Sequence, residues 1–153
     1  MQKAMKDRLM DMCDRNAEQM AELWYKALST NPKTTTCHLM SREGCLRHAT
    51  EFYKNLDKMF FAEDCYQAVA HILDIDGFAE DFYSRRIPLE EVIYALILLR
   101  RYIWVFAESQ AVYNYETTDM YDALNSINRI LLIFDYAAYI VTRKYQEFTG
   151  KLK

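Results

Sequence analysis

Turn-forming residues are scarce in this chain: its 153 residues include only 3 Gly and 2 Pro. All-β and α/β folds need many tight turns, which draw on Gly for positive φ and on Pro for a preset φ, so an all-α fold is expected. Charge of one sign is also missing. The 19 Lys and Arg and 22 Asp and Glu are interleaved and leave a net charge of -3. No basic stripe of the kind a phosphate backbone requires is present, and nucleic acid is not an expected partner. Long hydrophobic runs are absent as well. The longest strongly apolar run, Val92 to Leu99, falls far short of the roughly 20 residues that cross a bilayer. The start "MQKAMKDRLMDMCDRN" has no apolar secretory core. A cytoplasmic protein without membrane insertion is expected, and its four cysteines, Cys13, Cys37, Cys45 and Cys65, are expected as reduced thiols.

Catalytic signatures are missing too. No Walker loop, dinucleotide fingerprint, nucleophile elbow or HExxH occurs, and the acidic residues are dispersed rather than paired, so no catalytic residue is assigned and no enzyme is expected.

What is present is helical periodicity with enough apolar content, 52%, to fill one core. Residues 1–153 are read as a single-domain helical bundle of about five to six helices with a long C-terminal helix. Met5, Leu9, Met12, Cys13, Ala17, Met20, Leu23, Trp24, Ala27 and Leu28 share one helical face, and "STNPKTTT" ends that helix because Pro32 bars Asn31 from helical geometry. Ser41 is the expected N-cap of a helix whose core face carries Cys45, Leu46, Ala49, Phe52, Tyr53, Leu56, Met59 and Phe60. A third begins near Ala62 or Glu63 and is bent or broken at "DIDG", Asp74 to Gly77. The next starts at Pro88, with Glu90 and Glu91 at the positive end of its dipole. Since Val92 to Leu99 offers no polar face, this helix is expected at the centre of the bundle, surrounded by the others.

The last helix is expected over about 118–149, capped by Thr117 or Thr118. Met120, Leu124, Ile127, Leu131, Phe134, Ala138, Val141, Tyr145, Phe148 and Leu152 alternate spacings of four and three, a heptad seam. Ile130, Ile133, Ala137 and Ile140 add a second apolar stripe. One stripe can face the bundle while the other meets a second copy, which makes Leu124, Leu131, Phe134, Ala138, Val141, Tyr145 and Phe148 the candidate dimer seam. The competing reading buries one wide stripe within a monomer.

Three ligand chemistries bear on the histidines, cysteines and acidic residues. Cys37, His38, Cys45 and His48 include metal-ligating types, but they lack the two close pairs of a structural zinc site, and a surface His48 beside a core Cys45 explains them. Haem would need His48 or His71 as an axial ligand among Phe and Met side chains; a haem- or metal-binding globin-like protein is the alternative reading. "DIDG" is not a calcium loop, because its glycine comes two places early and Arg85 stands where a bidentate Glu is needed. No metal or cofactor is assigned.

The stretch "LILLRRYIW" places Arg100 and Arg101 about 100° apart around an apolar helix that also carries Trp104. A buried arginine needs an acidic or carbonyl partner. Asp135, isolated in "LLIFDYAAYI", is the expected one, which would couple the central helix to the last. Otherwise both arginines reach solvent over apolar stems.

The segment "RRIPLEEVIYALILLRRYIWVF", together with the isolated Asp of "FDYAAYIVTRKYQEF", resembles the RsbRD N-terminal domain family, the input domain of RsbT co-antagonist proteins and of some bacterial sensor histidine kinases. The resemblance is concentrated in Ile87 to Trp104. It implies a cytoplasmic helical sensor module in stress-response or related signal transduction, placed ahead of a kinase or an anti-sigma-antagonist type domain. The heptad helix would carry the output.

Overall fold

The structure, a computed structural model, describes residues 4–110, 112 and 120–150. All regular structure among them is helical: α1 (Met5–Arg15), α2 (Ala17–Thr30), α3 (Arg42–Lys54), α4 (Leu56–Phe60), α5 (Cys65–Asp76), α6 (Phe78–Ser84), α7 (Leu89–Ser109) and α8 (Met120–Phe148), with a 3-10 turn at Thr36–Leu39. The sequence leads to five or six helices and the structure has eight among the described residues. Two asparagines account for the difference. Asn16 (φ -108°, ψ 15°) and Asn55 (φ -101°, ψ 6°) leave helical geometry. Each turns its side-chain amide back onto the carbonyl four residues earlier, Met12 at 2.9 Å and Glu51 at 2.7 Å. A side chain that competes in this way for a helical carbonyl ends the helix, yet the apolar face runs straight through, so periodicity alone reads one element.

Other helix ends follow local chemistry. The Ser41 hydroxyl accepts from Gly44 N at 3.1 Å, as expected of an N-cap, and Asp64 does the same for Gln67 N at 3.1 Å, starting α5 at Cys65. Gly77 adopts a left-handed φ of 71° that lets α5 stop and α6 turn away, which realises the break expected at "DIDG". The expected caps Thr117 and Thr118, and the seam residue Leu152, lie outside the described residues.

The helix α7 packs on α1, α2 and α8, and side chains of α3 and of the 3-10 turn reach it. Trp24 of α2 is fully buried and donates its indole N–H to Ala95 O at 2.9 Å. One helical turn on, the buried Tyr53 hydroxyl of α3 donates to Leu99 O at 2.6 Å. At the start of α7, Glu91 is buried and its carboxylate accepts from Thr36 N (2.9 Å), Thr36 Oγ1 (2.6 Å) and Cys37 N (3.3 Å), which fastens the 3-10 turn. Tyr145 of α8 donates to Ile87 O at 2.9 Å. Large aromatic and amphipathic side chains thus bury their bodies while their polar tips find backbone partners. The wrapping is incomplete, however. Ile97 is 38% exposed and Ile93 and Tyr94 are half-buried, so α7 is central without being surrounded on every side.

Tyr53→Phe removes one buried hydrogen bond and keeps the ring in place, while Leu99 O keeps its position in the helical ladder. A loss of about 1 kcal/mol in urea unfolding is expected; an unchanged midpoint would show that the contact contributes nothing.

Candidate functional site

The residues expected to couple α7 and α8 do not meet within the protomer. Asp135 and Arg101 are exposed, Arg100 and Trp104 are half-buried, and no hydrogen bond or ion pair joins Asp135 to either arginine. Helix geometry is the cause. Ile130, Ile133, Phe134, Ala137, Ile140 and Val141 form the buried face of α8, and Asp135 follows Phe134 by about 100°, onto the opposite side. Of the two arginines of "LILLRRYIW", Arg101 is open to solvent and Arg100 is partly covered.

The expected seam is divided. Phe134, Val141 and Tyr145 are buried against the bundle's own helices, together with the second stripe, so these three are not open to a partner helix. Leu124 is 52% and Phe148 36% exposed, and Leu131 and Ala138 are half-buried. The wide-stripe reading therefore holds for the inner face of α8, and an apolar flank remains beside it.

Contacts orient that flank. Arg129 donates to Phe60 O (2.9 Å) and to Ala62 O, and Tyr136 packs on Tyr66 (ring centroids 5.2 Å apart), marking the side of α8 that faces α4 and α5. Leu124, Ile127, Leu131 and Ala138 lie on the other side of α8, partly exposed; on α7, Ile93, Arg100 and Trp104 are half-buried and Ile97 is exposed.

The densest polar cluster lies elsewhere, around His48. The sequence reading takes this residue for a surface histidine; the structure buries it, at 1% exposure. Its Nδ1 faces Asp76 Oδ2 at 2.5 Å and its Nε2 faces Asp81 Oδ2 at 2.7 Å. The remaining carboxylate oxygens are held by Arg47 (3.2 Å to Asp76 Oδ1) and Arg85 (2.9 Å to Asp81 Oδ1). Phe78 and Phe82 pack on the ring, with centroids 5.4 and 5.8 Å away. Each ring nitrogen thus has a carboxylate oxygen within hydrogen-bond distance. The cluster clamps α3 to α5 and α6 across Gly77. Its signal in the sequence is weak but real: His48 falls between Cys45 and Phe52 on the inward face of α3.

The clamp carries no activated nucleophile. Burial pushes the nearby Cys45 thiol up to about 11; Arg85 pulls it down and Asp81 adds to the rise. Burial also takes Cys13 and Cys37 to about 12, the latter with help from Glu91. All four cysteines are buried with free thiols, as expected. Both His48 nitrogens are taken, His38 Nε2 lies 2.8 Å from Asn31 O, and His71 is exposed. Among the described residues no three His, Cys, Asp or Glu side chains converge as a metal site.

Two cavities flank the clamp. One, of about 470 Å³, lies between α3 and α5 and is lined by Arg47, Glu51, Lys58, His71, Ile72 and Ile75 among others. A second, of about 500 Å³, lies where the α6–α7 turn meets the end of α8. The helix α8 is the one described helix long and apolar enough to cross a membrane, with a mean hydropathy of 1.2 over 18 residues; the run Val92 to Leu99 did not reveal this. The same helix packs on α5 and α7 and bonds through Arg129 and Tyr145.

Partial burial pushes the Asp81 carboxyl up, but hydrogen bonds and charge from His48 and Arg85 outweigh it and hold the group below its ordinary value. Asp81 therefore contributes stability fully above the unfolded carboxylate pKa of about 3.9, and loses it as pH falls through the lower folded value. Asp81→Asn is expected to be less stable near neutral pH and to show a flatter acid limb in thermal unfolding. Superimposable pH–stability curves would contradict this.

No family model, curated protein or solved structure matches this chain.

Proposed function

We propose that this chain is a non-catalytic signalling input domain that works as a homodimer, with α8 conveying its state to a downstream transmitter of the kinase or anti-sigma-antagonist type. The observation that carries the reading is the flank of α8. Leu124, Ile127, Leu131 and Ala138 give α8 an apolar flank that the protomer's own helices leave partly open, and Ile93 and Ile97 of α7 are likewise incompletely covered. Apolar strips of this kind mark interaction surfaces. The charges agree with a two-fold pairing. Arg100 and Arg101 on α7 and Asp135 on α8 make no bond to one another within the protomer. In an isologous interface the same patch meets itself, which gives Asp135 of one protomer the opportunity to face an arginine of the other.

The transmitter and the cytoplasmic setting come from the resemblance of Ile87 to Trp104 to the RsbRD N-terminal domain family. A helix shared between dimer contact and core is a physical route for such output, provided the flank has two arrangements of similar energy. The haem or metal alternative lacks a core histidine with a free nitrogen.

Light scattering of the full chain is expected to give twice the 18.2 kDa protomer mass. Leu131→Glu, at a half-buried position, is expected to return it to 18.2 kDa with its helical circular dichroism unchanged. A wild-type protein that stays at 18.2 kDa at every concentration would contradict the homodimer.

A further inference from the structure

We infer that the cleft between the α6–α7 turn and the last turn of α8 binds a small carboxylate with an apolar body, and that Arg86 is the residue that holds its carboxylate. Three described residues adopt a left-handed backbone: Gly77 (φ 71°), Gly150 (φ 73°) and Arg86 (φ 59°). Two are the residue type that takes this geometry without strain, and the third is not. Arg86 closes α6, with Arg86 N bonded to Tyr83 O at 2.9 Å and Ile87 N to Phe82 O at 3.1 Å. This is a helix end where glycine is usual. Folding alone is better served by glycine, so the strained arginine points to a use for its side chain.

The surroundings say what that use is. Arg85, its neighbour, is spent on Asp81 at 2.9 Å, whereas the Arg86 guanidinium has no partner among the described residues. It stands at a cleft of about 500 Å³ whose walls are Ile87, Pro88 and Leu89 and the rings of Tyr83 and Tyr145. Among the described residues no acidic side chain lines the cleft. Glu91 is turned inward to Thr36 and Cys37, and the exposed Glu90 lies outside the lining. The Tyr145 hydroxyl is taken by Ile87 O, so this ring presents its apolar surface. One unpaired guanidinium over apolar and aromatic walls suits a carboxylate, which it grips through two parallel hydrogen bonds, attached to a ring or short chain. The volume is that of a small-molecule site.

Because Tyr145 and Thr149 belong to the end of α8, a ligand here touches α6, α7 and the C-terminal turn of α8 together. Passing its binding to a transmitter rests on the signalling reading above; the binding itself does not, and is measurable whatever the oligomeric state.

The test is titration of the full chain with benzoate by calorimetry and by chemical-shift mapping, with benzamide and inorganic phosphate as comparators. Benzoate is expected to bind, to shift Tyr83, Leu89 and Tyr145, and to outcompete both comparators at least tenfold. Arg86→Gly relaxes the backbone, so it is expected to fold with an equal or higher melting temperature while benzoate affinity falls tenfold or more. Arg85→Ala, outside the lining, is expected to bind as the wild type does. Absence of benzoate binding, equal binding of phosphate or benzamide, or undiminished binding by folded Arg86→Gly would each overturn the proposal. The oligomer mass measured on the same samples reports separately on the homodimer.

Discussion

The backbone carbonyls and the first turn of α7 are the points to which the rest of the molecule is tied. Trp24 reaches Ala95 O, Tyr53 reaches Leu99 O and Tyr145 reaches Ile87 O just ahead of the helix, while Glu91 gathers Thr36 and Cys37. Each tie joins a different element to the same axis, and each is buried or partly buried, where an unpaired polar group would be costly. Hydrophobic burial supplies most of the driving force, but it is non-directional. These bonds choose the register in which α2, α3 and α8 pack on α7.

The His48 clamp plays a complementary part on the opposite side of α3. There α5 and α6 are too short and too interrupted to be placed by an apolar stripe alone, and the Asp76–His48–Asp81 chain fixes the angle across Gly77. Lys144 of α8 adds ion pairs to Asp74 and Glu80 from the same two helices. The long helix is thus held by α7 on one flank and by α5 and α6 on the other, which leaves Leu124, Leu131 and Ala138 on the rim between α8 and solvent. A surface that is apolar yet next to the molecule's best-tied helix is suited to carry an interface without loosening the core.

The all-helical class, the break at Gly77, the Ser41 cap and the extent of α8 were legible because each rests on local chemistry: few turn-formers, one glycine, one hydroxyl, one unbroken period. Asn16 and Asn55 were missed because an apolar face that continues through a break hides it. Periodicity gives the apolar stripes of α8 and their width, whereas neighbours decide which residues of them they cover. Asp135 and the two arginines show the same limit, since charge complementarity in a sequence names partners without fixing whether they meet. His48 was hidden for another reason. Its partners lie 28 and 33 residues away, and nothing local distinguishes a histidine that will be buried between carboxylates from one in water.

If α7 is the axis to which the other helices are tied, its middle turns should open only when the whole molecule does. Native-state hydrogen exchange over Ala95 to Ile103 tests this directly: opening free energies equal to that of global unfolding, and the highest in the protein, are what the account predicts. Exchange of these amides through local opening, with α3 or α8 still protected, would contradict it.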